Sequence, residues 1–283
     1  MIIDFHTHTF PAKNSVSIIQ KLGGISHTMP FTDGSVHGLI ASMKEADIDY
    51  SVNLPVMTSA EQVEKVNSSL INQREQLLSE GVITFGGMHP DYENYREELK
   101  HIKQSGIPGI KIHPAYQNVD LDDARMMRII DCASELDLIV LTHAGIDIGL
   151  YDHNYCSVEH ILKIIDQIHP PKFVLAHMGN WDCWEDVERD LAGANIWLDT
   201  AFAVGPITAD LRQDTRPYKE ETLSDVDFVR ICRKHGMDKI LFGTDSPWQE
   251  QKEYIERIRR TGITSEEQEL ILAGNARKLL DIT

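Results

Sequence analysis

The chain has 283 residues and a net charge of −17, from 27 Lys plus Arg against 44 Asp plus Glu. It can bury a large core and repels polyanions, which disfavours nucleic acid as a partner. Its longest apolar runs are of strand length, short of the ~20 residues of a membrane span, so no membrane partner is expected. No basic segment followed by an apolar one opens the chain, and the expected location is the cytoplasm. Cys132, Cys156, Cys183 and Cys232 form no Cys-x-x-Cys pair and read as reduced thiols. No Pro/Gly/Ser-rich linker or low-complexity run divides the chain, which favours one domain over residues 1–283.

Apolar runs of strand character alternate with amphipathic helical ones from the first residues onward. The predicted strands are Ile2-His6, Tyr50-Leu54, Val82-Gly86, Gly109-His113, Leu138-His143, Lys172-His177, Ala194-Thr200 and Lys239-Asp245. Between them, apolar residues recur at three and four over Val36-Asp47, Ala60-Glu80, Tyr92-Ser105, Leu121-Leu136, Val158-Ile168, Trp181-Leu191, Asp225-His235 and Gln249-Arg260. Eight strand-helix units at this length predict a TIM (β/α)8 barrel. A short helix Ser265-Ala273 and the tail Asn275-Leu280 would cover the barrel after its last unit. Segments Thr9-Met29 and Ala203-Leu223 read as long loops at the ligand-bearing end, where they would shape a pocket.

The chemistry concentrates where strands end. In Asp4-Phe5-His6-Thr7-His8 two histidines stand two apart at the end of the first strand. Strand side chains alternate, so both imidazoles face one side and can reach one ion of zinc size. Alone, His-x-His also fits two solvated or capping histidines. Three further strands stop at a residue able to bind a cation: the fifth at His143, the sixth at His177 and the eighth at Asp245. Structural histidines would fall at random along helices and loops. An open doubly wound sheet would scatter ligands from these four strands, whereas a closed barrel gathers them at one mouth, and the first strand is followed by no Gly-x-Gly-x-x-Gly turn.

The full string adds Lys111-Ile112-His113-Pro114 in strand four, Thr142-His143-Ala144-Gly145, Ala176-His177-Met178-Gly179 and Gly243-Thr244-Asp245-Ser246-Pro247. It resembles the amidohydrolase superfamily, and within it the amidohydrolase-related (amidohydrolase 2) family that also holds the aminocarboxymuconate-semialdehyde decarboxylase-like enzymes. The resemblance runs across nearly the whole chain. It implies that His6, His8 and His143 ligate a metal together with Asp245, and that His177 stands beside it as a catalytic or substrate-orienting group. Three imidazoles and a carboxylate suit Zn²⁺ and leave a position open; Asp245 can also accept a proton, and His177 can polarise a carbonyl or protonate a leaving group. In some superfamily members a carbamylated strand-four lysine bridges two metals. The Gly-x-Lys-x-His-Pro pattern here is instead associated with one metal, so Lys111 reads as a cation facing the site, with a lysine plugging the barrel or holding a second metal as the alternatives. His113 reads as a substrate-binding residue, with His89 and Trp181 as further candidates.

Two reactions fit the resemblance. One is hydrolysis of an amide, lactone or ester of a small molecule; the other is non-oxidative decarboxylation of an unsaturated or aromatic acid, for which Arg216 in the second long loop is the nearby candidate to hold a carboxylate. A metal-dependent nuclease of the TatD type also carries His-x-His and Thr-Asp-Ser-Pro, but it would need an acidic ligand where this chain has Lys111-Ile112-His113. A non-catalytic binding barrel would lack a ligand, and none is missing. The expected partner is a small-molecule substrate, with homo-oligomerisation left open.

Overall fold

The computed structural model describes residues 1–208 and 222–282. Eight parallel strand positions follow one another around a barrel: β1 (Ile3–Thr7), β2 (Tyr50–Asn53), β3 (Val82–Thr84, continued by Gly86–Gly87), β4 (Gly109–Ile112), β5 (Ile139–Thr142), β6 (Phe173–Leu175), β7 (Trp197–Asp199) and β8 (Ile240–Leu241). Each pairs with its sequence neighbour, as in the register Ile110↔Val140, Val140↔Phe173 and Val174↔Trp197. The barrel closes where Phe5 N donates to Phe242 O at 2.7 Å and Asp245 N donates to His6 O at 2.8 Å. This is the TIM barrel that the alternating pattern predicts.

Alternation along the strands sorts the core into two layers. Ile3, Phe5, Leu54, Phe85, Leu141, Val174 and Leu241 fill the barrel interior, whereas Ile110, Val140, Phe173, Leu198 and Ile240 face the surrounding helices. Ala273, Ala276 and Leu279, from the last turns of the chain, join the interior cluster beside Ile3. The tail thus seals the end of the barrel opposite the strand ends that carry the histidines.

A register shift interrupts β1, where Asp4 pairs with Ser51 but Thr7 pairs with Asn53. One extra residue in β1 bends the strand and re-aims its side chains. Phe5 can therefore pack in the interior while His6, the next residue, still turns toward the mouth.

The segment Thr9–Met29 is not the loop its composition suggests. It contains a helix, Ser15–Ser26, that buries Ile19 and Gly23. Trp181–Leu191 likewise becomes helical only from Trp184 and ends in a wider turn, Val187–Leu191. Val158–Ile168 and Asp225–His235 form as the pattern predicts, capped by Ser157 and Ser224, whose hydroxyls accept from the amides of His160 and Asp227.

Candidate metal centre

At the carboxyl ends of the strands, ring-proton positions follow from partners that can only accept. His8 Nδ1 lies 2.7 Å from Leu54 O, so that nitrogen carries the proton and the Nε2 of the neutral ring is a bare lone pair. His6 Nδ1 lies 2.8 Å from Asp199 Oδ2, with the same result. His177 Nδ1 donates to Ala201 O at 2.8 Å, which leaves its Nε2 to accept from His143 Nδ1 at 3.0 Å. His143 Nε2 is then also a lone pair; it is buried and has no hydrogen-bond partner.

Two of these lone pairs face each other. His6 Nε2 and His8 Nε2 are 3.1 Å apart, and Asp245 Oδ1 stands 3.4 Å from the first and 3.1 Å from the second. Three acceptors converging in this way repel one another unless a cation sits among them. Burial drives His6 and His143 well below the ordinary imidazole range and lowers His177, so all three are neutral, as metal ligation requires. Burial raises Asp245, whereas a proton on His8 Nε2 would hydrogen-bond to its Oδ1 and hold the carboxyl well below its usual range; with that nitrogen bare, a bound cation would take the proton's place. The donor set therefore fits a divalent metal.

Lys111 is 1 % exposed, with its ammonium 3.5 Å from His6 Nε2, and burial lowers it to about 8. It faces the site. His143 is brought beside the first group rather than into it: its ring stacks on His113 at 4.3 Å and 13°. His113, His143 and Asp147 form a second buried set whose ligand atoms lie within 4.8 Å of one another. His113 Nδ1 accepts from Tyr116 N, so its Nε2 carries the proton and points toward Asp147 Oδ2 at 3.6 Å. This makes His113 a donor toward the cavity in the neutral state.

Backbone strain gathers here as well. His177, Met178, Phe202 and Asp245 all have positive φ, between 53° and 65°. Such conformations cost of order 1–3 kcal/mol each for non-glycine residues and persist where the surroundings enforce them.

These groups open into a cavity of about 840 Å³ lined by His6, His8, Lys111, His113, His143, Asp147, His177 and Asp245. Trp181, Phe202, Trp248, Tyr116 and Phe10 supply aromatic walls, and the helix Ser15–Ser26 contributes Ile18 and Leu22. His89 is not part of this lining; its Nδ1 accepts the amide of Asp91 at 3.2 Å. Trp184 instead donates to His177 O at 2.9 Å behind the site. Arg216 lies outside the described residues. Asp199 and Asp147 were not singled out from sequence. Asp199 ends β7 as the earlier ligands end theirs, which is the one signal that could have drawn attention to it.

The amidohydrolase family profile matches residues 3–282. No curated protein matches the chain in sequence. Among solved structures, an uncharacterised TIM-barrel protein, Bb4693 from Bordetella bronchiseptica, superposes with a TM-score of 0.74 at 19% identity, over 99% of this chain and 98% of that one. The 5-carboxyvanillate decarboxylase LigW from Sphingomonas paucimobilis gives 0.68 at 14% identity over 100% and 99% of the two chains. A dihydroxybenzoic acid decarboxylase from Polaromonas sp. JS666, solved with bound manganese and the inhibitor 2-nitroresorcinol, gives 0.68 at 15% identity over 99% and 97%.

Proposed function

The chain belongs to the amidohydrolase family, and we propose that it is a zinc-dependent hydrolase acting on an amide, lactone or ester of a small, carboxylate-bearing molecule. The observation that carries this reading is the convergence of bare acceptors, His6 Nε2, His8 Nε2 and Asp245 Oδ1, within 3.4 Å of one another at the floor of the cavity. His143, which stands beside this group with its Nε2 buried and unpartnered, is the fourth ligand of this reading. A divalent cation held there would polarise a carbonyl and lower the pKa of water at its open position toward ~7.

The chain's own groups supply the rest. Asp245 is ionised at neutral pH and is the base that takes a proton from the attacking water. His177 holds His143 in the ligating tautomer and lines the cavity beside the reacting group. His113 Nε2–H donates to a substrate oxygen, and Trp181, Phe202 and Trp248 flank a flat substrate. Lys13 and Lys65 line the cavity and offer cations to a carboxylate. With a net charge of −17, the protein takes a small molecule rather than a nucleic acid.

A second reading, non-oxidative decarboxylation, is supported by the aromatic walls and by two similarly folded decarboxylases. The two separate on product. Zinc-loaded protein is incubated in ¹⁸O-labelled water with a panel of aryl carboxylic acids and their amides, esters and lactones. Label entering an acid product without carbon dioxide release supports hydrolysis. Carbon dioxide without label establishes the second reading, and neither product from metal-loaded protein overturns both.

A further inference from the structure

The seventh strand supplies no ligand to the donor set, yet its end is bonded to His6 and, through His177, to His143. Asp199 is fully buried, and its two oxygens face in different directions. Oδ2 accepts from His6 Nδ1 at 2.8 Å, while Oδ1 accepts two backbone amides, His177 N at 2.9 Å and Ala201 N at 3.1 Å. Two residues on, Ala201 O receives the His177 Nδ1 proton at 2.8 Å, and His177 Nε2 in turn receives that of His143 at 3.0 Å.

We propose that Asp199 is a positioning residue that sets the ring-proton pattern of the metal centre, fixing His6 with Nε2 bare and holding the His177–His143 relay in register. The proposal rests on the metal-dependent reading above. The chemistry requires a carboxylate at this position. Three donors meet Asp199, one imidazole N–H and two backbone N–H, so both oxygens must accept. An asparagine has a single acceptor oxygen. Turned toward the backbone amides, it presents its NH₂ to His6 Nδ1, which must then become the acceptor, and the His6 proton moves to Nε2, onto the lone pair that would bind metal. Turned the other way, its NH₂ faces two N–H donors and the His177 turn is pushed out. Either arrangement damages ligation at a residue that touches no ligand position itself. Outer partners of metal-bound histidines commonly change metal affinity by 10–100-fold, and Asp199 serves two branches at once.

The test is zinc affinity, measured by chelator competition on wild-type protein and Asp199→Asn, with ¹⁵N-histidine NMR of the metal-free proteins. Expected are a folded variant that still saturates at the wild-type stoichiometry, a Kd weakened roughly 10–100-fold, and a His6 signal whose proton has moved from Nδ1 to Nε2. A purely structural role would lower Tm while leaving the Kd and the His6 tautomer unchanged, and that result overturns the proposal. Wild-type protein that binds no zinc overturns the metal-dependent reading instead. Should Asp199→Asn fail to fold, the wild-type spectrum still decides: His6, His8 and His143 carry their protons on Nδ1, and a His6 protonated on Nε2 contradicts the assignment.

Discussion

Asp147 is a buried carboxyl on the wall of the cavity, and burial raises it from 3.8 to about 6. Its folded pKa lies above its unfolded one, so the folded state binds the extra proton between those values and stability falls as pH rises through that window. Above pH 6 the carboxylate costs a constant amount, at most about 3 kcal/mol at 1.36 kcal/mol per pKa unit. Asp147→Asn keeps an oxygen for the Gly149 amide, which Oδ1 now accepts at 2.8 Å. The substitution is expected to stabilise the metal-free protein at pH 7 by up to that amount and to be neutral below pH 4. Urea denaturation at the two pH values checks this; a variant less stable at pH 7 would show that His113 more than offsets the burial. Why Asp147 and Asp199 escaped the sequence is a matter of distance. His6 and Asp199 lie 193 positions apart, and a lone aspartate in Leu198-Asp199-Thr200 carries no local mark of its partner. His6, His8, His143, His177 and Asp245 were legible because each ends a strand, and the barrel turns that shared position into proximity.

At the scale of elements, the loops after β5 and β6 are zipped together. Trp181 N donates to Ala144 O at 2.9 Å, and Gly145 pairs with Trp181. Gly145 has φ +94, and a Cβ there would lie 2.0 Å from Trp181 N. Gly145→Ala must part the two loops that hold Ile146, Asp147 and Trp181 in the cavity wall. A loss of about 3 kcal/mol is expected, from strain at positive φ plus overpacking. Thermal unfolding measures it, and a Tm within 2 °C of wild type, against the roughly 2–4 °C per kcal/mol of a domain this size, would mean that the loops part freely. The same pairing explains why the helix after β6 begins at Trp184 rather than Trp181, since the N–H and C=O of Trp181 are bonded to Ala144 O and Ile146 N. The pair Gly23-Gly24 gives Thr9–Met29 the composition of a loop, yet the helix Ser15–Ser26 runs through it. Gly23 is there for close approach, with Thr28 O only 2.8 Å from where its Cβ would be. Strand order and the number of strands were visible in the alternation, because each strand is buried on both faces and reads as an apolar run. Strand lengths were not: β8 forms ladder pairs only over Ile240–Leu241 before the chain turns toward Asp245.

For the whole molecule, closure of the barrel brings ligand candidates from β1, β5 and β8 to one mouth, so ligation and folding are linked. A metal that binds only the folded chain stabilises it by about 4 kcal/mol at 1,000 times its Kd. Zinc is therefore expected to raise Tm by roughly 10 °C, and a chelator to reverse the shift. An unchanged Tm across that range of zinc would separate the histidine cluster from any tight metal. Among the described residues no helix is long and apolar enough to cross a membrane.

Metal content per chain decides whether His6, His8, His143 and Asp245 hold a metal as proposed. Wild-type protein, His8→Ala and His143→Ala are loaded with zinc, dialysed and assayed by elemental analysis, with circular dichroism to establish folding. About one zinc per chain is expected in the wild type, the count for a mononuclear site, with loss of most of it in both variants while the barrel stays intact. A wild-type protein that retains no zinc, or variants that keep the full wild-type content, would contradict this assignment.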